Sequence, residues 1–320
     1  MMKRAWQSIV RVLFRALLRV LRVVPWRVAG AWGAAVGALG YHVAVRYRRV
    51  ANANLRHAYG DALSDRERQA LIKRVFQSFG RALMEFLKAP SMSPSQIKKI
   101  VKADSYARVE AVLARGKGMI LLAAHFGNWE LLARRAALEG YEFAVVARQS
   151  HDPEFNQITD SLRANGGYTV LPRGGSPRAI LQRLRRNGIV AILPDQKSED
   201  VFVPFFGRLA GTVAGPAVLS LKTGAGIIPM FCPRQPDGSY RVEILPEIDT
   251  TPSGDTDADI HRIMADITHV IEEMVRRYPD QWLWLHDRWR VPPPAGLDPA
   301  TGRPAAPDTR YEASSAARGD

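Results

Sequence analysis

His125 and Glu130, five residues apart, are the pair in this sequence best suited to move a proton. A histidine acting as general base needs one ring nitrogen facing a substrate hydroxyl and the other held by an orienting group, commonly a carboxylate. The spacing alone is weak, because His261 and Asp266 repeat it. That second pair lies inside a continuous helical pattern, where five residues turn through about 500° and the two side chains point apart. His261 therefore reads as a solvated helix residue. His125 has a different context. The apolar run Met119 to Ala124 has strand length and the character of a strand buried on both faces. It breaks at His125-Phe126-Gly127, Asn128 follows as an N-cap, and a helix runs from Trp129 to Leu138. A turn at Phe126-Gly127 would let Glu130 swing back to His125. The carboxyl end of a strand is also where open α/β sheets place their chemistry.

Other residues fall near that edge. Arg148 ends the strand that follows the histidine helix, and Arg163 lies near the end of the next helix. A guanidinium facing the same cleft suits a phosphorylated substrate. Ile189 to Pro194 is another buried strand, and it ends on Asp195. Phe205-Phe206, in a loop bounded by Pro204 and Gly207, would line an acyl-chain groove or dip toward lipid, with core packing as the alternative. Several chemistries find no support. There is no Gly-rich nucleotide loop, no Gly-x-Ser-x-Gly elbow and no histidine pair on a shared turn for a metal. Gly174-Gly175-Ser176 reads as a plain turn before a helix. The single cysteine, Cys232, excludes an internal disulfide and reads as an inert buried thiol.

The elements that must position these residues follow from periodicity. Strands are expected near 119–124, 142–147, 167–171, 189–193, 226–232 and 240–245. Helices are expected near 104–115, 129–139, 153–165, 176–186, 212–223 and 256–277. Their alternation predicts an α/β fold, a largely parallel sheet covered by helices on both faces. Four segments are read along the chain: a membrane-anchoring segment at 1–45, a helical region at 46–94, the α/β body at 95–291, and a Pro/Ala/Gly-rich disordered tail at 292–320. Ser64 and Glu67 form a capping-box pattern that opens a helix running to about Lys88.

Charge is unevenly spread. The net charge is +14, yet residues 1–60 hold eleven Lys/Arg and no acid, which leaves 34 basic against 31 acidic residues elsewhere. Arg11, Arg15, Arg19 and Arg22 stack along one helical face, while leucines and valines fill much of the rest. That pattern predicts a basic amphipathic helix at a membrane interface. A broad Leu/Val surface does not suit a phosphate-tracking groove, so no nucleic-acid partner is expected. Residues 28–45 carry no charge and contain Gly33-x-x-x-Gly37. They fit a transmembrane segment, a re-entrant partner of the first helix, or a packed helix.

Ala124-His125-Phe126-Gly127-Asn128-Trp129-Glu130 resembles the catalytic box of the bacterial lipid A late acyltransferases, within the wider lysophospholipid acyltransferase group. Two further blocks resemble the same family in the same order. One is Leu193-Pro194-Asp195-Gln196 with Val203-Pro204-Phe205-Phe206-Gly207, Thr212 and Gly215-Pro216-Ala217. The other runs from Pro279 to Trp289, with Asp287 where a basic residue is usual. The resemblance covers about residues 45 to 291. It implies a membrane-bound O-acyltransferase at the cytoplasmic face of an inner membrane, in which His125, oriented by Glu130, takes the proton of an acceptor hydroxyl. The donor implied is an acyl carrier protein thioester, with acyl-CoA as the alternative co-substrate and no resident cofactor. The acceptor implied is a lipid A precursor, with a phosphatidylinositol mannoside or a lysophospholipid as alternatives. Backbone N–H groups at Gly127 and Asn128 are expected to hold the oxyanion. Arg148 and Arg163 are expected to hold phosphate, and Asp195 to help position substrate. A non-catalytic membrane-binding protein on this scaffold is the reading from a different class.

Overall fold

The computed structural model describes residues 2–147, 153–172 and 177–303. Four helices come first: α1 (Met2–Val23), α2 (Trp26–Val43), α3 (Val45–Tyr59) and α4 (Asp65–Lys88). A short α5 (Pro94–Ile100), β1 (Val101–Ala103) and α6 (Ala107–Leu113) lead into β2 (Met119–Leu122) and α7 (Trp129–Ala137). Then follow β3 (Phe143–Ala147), α8 (Pro153–Asn165), β4 (Thr169–Pro172), α9 (Pro177–Arg185) and β5 (Ile189–Ile192). The hairpin β6 (Lys197–Phe205) and β7 (Arg208–Thr212), α10 (Gly215–Thr223), β8 (Gly226–Phe231), β9 (Tyr240–Ile244) and α11 (Thr256–Arg277) complete the order.

Seven strands form one sheet in the order β1-β9-β8-β2-β5-β3-β4. All neighbours are parallel except β8 and β9, so the expected parallel sheet acquires a reversed edge. β2 sits at its centre, with Leu122 opposite Ile192 of β5 and Pro229 of β8. Burial on both faces explains why β2 reads as an unbroken apolar run. Ile120 and Leu122 pack into one core layer, together with α11 residues such as Ile267 and Ile271. Met119 and Leu121 pack into the layer on the opposite face, with Leu131 and Leu132 of α7. The separate hairpin β6–β7 and the short β1 had no counterpart in the sequence reading. Both are too short or too irregular for a period of two, and β6 carries a register shift between Lys197 and Val201.

The helical region is joined to the body. Ser64 and Glu67 make the anticipated capping box on α4, a feature worth about 1 kcal/mol. Asn54 Nδ2 of α3 donates to the carbonyls of Trp284 at 2.8 Å and His286 at 2.6 Å. α2 lies against α4 through its glycines. A Cβ at Gly33 would stand 2.3 Å from the carbonyl oxygen of Gly80, and one at Gly37 would stand 2.1 Å from that of Phe76. Only glycine permits so close a backbone approach. The opposite side of α2 leaves Val28, Trp32, Val36, Leu39 and Val43 exposed. Among the described residues no single helix is long and apolar enough to cross a membrane. α2 and the segment from Val45 to Ala62 pass that test only together, bent by 90°. From residue 304 onward, the tail anticipated by composition lies outside the described residues, as do Arg148 and Gly174-Gly175-Ser176.

Candidate active site

The register of β2 against β5 builds the site. Leu122 pairs with Ile192, and each chain then runs three residues further, to His125 and Asp195. His125 Nδ1 lies 2.8 Å from Asp195 Oδ1, and the backbone N–H of His125 donates to Asp195 Oδ2 at 2.9 Å. The indole N–H of Trp282 donates to the same Oδ2 at 3.0 Å. Asp195 is therefore the group that orients His125. The carboxylate is buried, while the imidazole keeps 24% of its side-chain surface exposed. With Nδ1–H donated to the carboxylate, Nε2 carries the lone pair, and Gln196 Nε2 stands 3.4 Å from it. Trp129 meets the imidazole ring edge-on at 5.4 Å between centroids.

Burial by itself would lower the pKa of His125. The charge and hydrogen bond of Asp195, helped by Glu130, more than offset it, so the net direction is upward from 6.5. Burial raises Asp195, but the imidazole, the His125 N–H and Trp282 bring it below its ordinary value. Each partner favours the ionised form of the other.

The expectation for Glu130 is corrected. Glu130 sits in the first turn of α7 and its carboxylate faces α8 and β4. It accepts from Arg163 Nη2 at 2.6 Å, from Arg163 Nε at 3.2 Å, and from the Tyr168 hydroxyl at 2.8 Å. The turn after β2 is held too tightly for the carboxylate to fold back. Gly127 N–H donates to the Gln281 carbonyl at 2.8 Å, Asn128 N–H to the Cys232 carbonyl at 3.0 Å, and Leu283 N–H to the His125 carbonyl at 3.1 Å. Gly127 has φ +58, and a Cβ there would lie 2.2 Å from the Cys232 carbonyl oxygen. Glycine is the residue that combines this backbone with this contact.

The same bonds correct the expected oxyanion donors. The N–H groups of Gly127 and Asn128 are already taken by protein carbonyls. Asn128 also caps α7, accepting from Leu131 N–H at 3.1 Å. Arg163 reaches the site, but Glu130 occupies its Nε–Nη2 edge, leaving Nη1 4.0 Å from Asp160 Oδ1. Phe205 and Phe206 do not line a groove. Both are buried among Tyr59, Trp282, Trp284 and Trp289, because the β6–β7 turn folds under the tryptophan block. That block is a packing element, and Trp282 links it to Asp195. Cys232 is buried, and burial pushes its thiol up, as an inert thiol requires. His261 is half-buried, with Nε2 3.2 Å from the Phe202 carbonyl oxygen, and Asp266 lies exposed elsewhere on α11.

His125 opens on a cavity of about 700 Å³. One wall is apolar and passes between the sheet and α7, where Leu121, Ala123, Ala133, Phe143 and Ala191 line it. Glu130, Arg163 and Gln196 supply the polar rim near His125. Three neighbours of the imidazole site escaped the sequence reading: Asp195 as the imidazole partner, Trp282 as its support, and Gln196 beside Nε2. The signal for the first was present, since Asp195 and His125 each follow an apolar run by the same short interval.

A histidine–carboxylate pair at the carboxyl ends of parallel strands, facing a largely apolar cavity, is equipped for general-base chemistry on a substrate with an apolar part. A family model described as bacterial lipid A biosynthesis acyltransferase matches residues 3–291. The chain belongs to that family, whose members resembling it are named acyltransferases. It is 26% identical over 275 residues to the lipid A biosynthesis lauroyltransferase of Escherichia coli, covering 84% of this chain and 88% of the relative. It is 27% identical to the lipid A biosynthesis palmitoleoyltransferase of the same organism, over 84% of this chain and 87% of the relative. The phosphatidylinositol mannoside acyltransferase of Mycobacterium tuberculosis is 28% identical over 67% of this chain and 68% of its own length.

Proposed function

We propose that the chain transfers a fatty acyl group from an acyl thioester, carried by acyl carrier protein or CoA, to a hydroxyl of a lipid A precursor or related glycolipid. The observation that carries this reading is the His125–Asp195 pair opening on the apolar cavity. His125 Nε2 takes the hydroxyl proton, and the oxygen attacks the thioester carbonyl. The tetrahedral oxyanion then collapses, the C–S bond breaks, and the imidazolium returns the proton to the leaving thiolate. Products are an ester and a free thiol. The side-chain amide of Gln196 and the first N–H groups of α7, at Trp129 and Glu130, supply the oxyanion donors in place of Gly127 and Asn128. Glu130 holds Arg163 at the cavity rim and its charge supports the imidazolium. The test is transfer from a labelled acyl thioester to lipid A precursors and to phosphatidylinositol mannosides, with the products identified by mass. The mannoside arm is included because relatives of both names match at similar identity. Absence of transfer to any lipid hydroxyl would favour a non-catalytic role.

The acyl chain is assigned to the apolar wall between α7 and the sheet. Ala133 is buried there at the midpoint of α7. Ala133→Leu is expected to shift preference toward shorter acyl thioesters in a competition assay, with little change in melting temperature. An unchanged length profile would move the acyl chain elsewhere.

The membrane side is assigned to α1 and α2. Val28, Trp32, Val36, Leu39 and Val43 form an exposed apolar stripe at helical spacing, flanked by exposed Arg22, Arg27 and Arg46. Deleting this region would strip the α4 face that carries Ile72 and Phe76, so point variants are the sharper probe. Trp32→Glu with Leu39→Glu in the full chain is expected to move most of the protein out of the membrane fraction at moderate salt. Full retention of a folded variant would place attachment elsewhere.

A further inference from the structure

A second concavity, of about 190 Å³, lies behind the catalytic turn and is lined by Trp26, Arg27, Arg81, Glu85, Arg234, Asp237 and Gly238. Among the described residues, none of its three arginines is in an ion pair. Several arginines elsewhere in the body are matched: Arg163 by Glu130, Arg135 by Glu139, Arg262 by Asp259. Arg288, which has no carboxylate, donates to the Gly211 carbonyl and the Thr212 hydroxyl. Arg234 is the clearest exception. Its backbone is fixed by Gln281, which accepts from the Arg234 N–H at 2.7 Å and donates to the Arg234 carbonyl at 2.9 Å. Yet its Nε is buried without a hydrogen-bond partner. An unmet guanidinium N–H costs free energy unless something fills the place.

The rest of the pocket fits an anion. Burial and the nearby charge of Arg234 lower the pKa of Arg81 and Glu85 opposes them, so three arginines share one space with two carboxylates, Glu85 and Asp237, neither of which is in an ion pair with them. Glu85 supplies less negative charge than its type suggests. Burial pushes it up to about 7, against hydrogen bonds from Tyr240 and Asn128 that both use Oε2. Gly30 lets two of the lining side chains approach α2, since a Cβ there would stand 3.1 Å from Glu85 Oε1 and 3.2 Å from Arg81 Nη1. α2 begins at this pocket with no side-chain cap, so its positive dipole end adds to the arginines.

We propose that Arg27, Arg81 and Arg234 form a phosphate subsite that holds the phosphate of a lipid headgroup. Arg27 occupies the first turn of α2, directly before the exposed stripe that starts at Val28, which sets the pocket at headgroup depth when that stripe meets a bilayer. The pocket also touches the chemistry. Asn128, which caps α7, donates to Glu85 Oε2 at 3.1 Å, so an occupied pocket steadies the start of the helix that follows His125. The headgroup assignment rests on the membrane and acyl-acceptor reading, whereas the anion assignment stands on the pocket alone.

The experiment is calorimetric titration of the full chain in detergent with two probes, a short-chain phosphatidic acid and inorganic phosphate. The parent and His125→Ala proteins are expected to bind the phosphatidic acid alike, which separates this site from the reaction. Arg81→Gln with Arg234→Gln is expected to weaken that binding at least about tenfold, as loss of two charge-assisted contacts implies. Arg27→Gln, at an exposed position, is expected to weaken it less while leaving the melting temperature unchanged. Gly30→Ala, which crowds Glu85 and Arg81 while leaving every charge in place, should weaken it as well. Parent-like affinity in folded Arg81/Arg234 and Gly30 variants would overturn the site. Inorganic phosphate binding as tightly as the phosphatidic acid would overturn the headgroup assignment.

Discussion

His125→Ala is expected to lower acyl-transfer turnover by at least about a hundredfold, since a positioned general base contributes roughly 10²–10⁴-fold. The loss should fall in kcat, because the imidazole acts on a proton that moves only during reaction. Structure supports a clean variant. The ring is partly exposed to the cavity, and the backbone N–H of His125 still donates to Asp195 after the ring is removed. The double variant with Asp195→Asn should be little worse than His125→Ala, because the two side chains serve one proton transfer. His261→Ala is the internal control. Its imidazole meets backbone groups at Phe202, Thr301 and Gly302, none of which lines the cavity, so near-parental turnover is expected. Turnover and thermal melting are measured on the same preparations. A folded His125→Ala protein with near-parental transfer would defeat the mechanism.

The parts of this site differ in how far they were readable from the chain. Met119 to Leu122 and Ile189 to Ile192 announced themselves as buried strands, because a central parallel strand needs apolar side chains on both faces. His125 stood out because a strand, a turn and a helix start meet there. Its partner did not, because pairing His125 with Asp195 depends on the register of two strands about seventy residues apart in sequence. Local spacing suggested Glu130 instead. Sequence proximity is a poor guide across a helix start, where a residue in the first turn is aimed by the helix axis and not by the preceding turn. Arg163 and Tyr168 could not be foreseen as the owners of that carboxylate, since they arrive from α8 and the start of β4. The glycines of α2 were legible as a small-residue pattern, but whether they met lipid, another copy or α4 was a tertiary question. α4 answers it with Gly80. Sequence does not decide between core and groove for the phenylalanine pair at 205–206 for a related reason. An aromatic turn looks exposed until the tryptophan block, about eighty residues later, folds over it.

Asp195→Asn tests the orientation of the histidine, and it should cost turnover about as severely as the loss of the base itself. Oδ2 of Asp195 accepts two protein N–H groups, from His125 and Trp282. An asparagine therefore places its oxygen there, which turns its NH2 toward His125 Nδ1. Nδ1 must then accept, the ring proton moves to Nε2, and the nitrogen facing the cavity can no longer take a proton. A wrong tautomer of this kind has been worth up to about 10⁴-fold in a serine protease triad. The pH dependence distinguishes this from simple loss of charge. In the parent enzyme kcat/KM should rise through an acidic limb whose midpoint lies above 6.5, because the pKa of His125 is raised and only the neutral ring is a base. Without the Asp195 charge, burial is opposed mainly by Glu130 and the midpoint should move down. If the variant had merely lost that charge, more of the ring would be neutral at pH 7 and activity there would hold or improve. A tautomer defect instead leaves the plateau low at every pH. Nitrogen NMR of the imidazole reads the same change directly, with the proton moving from Nδ1 to Nε2. A variant that keeps the parental plateau would show that Asp195 supports the turn and does not set the base.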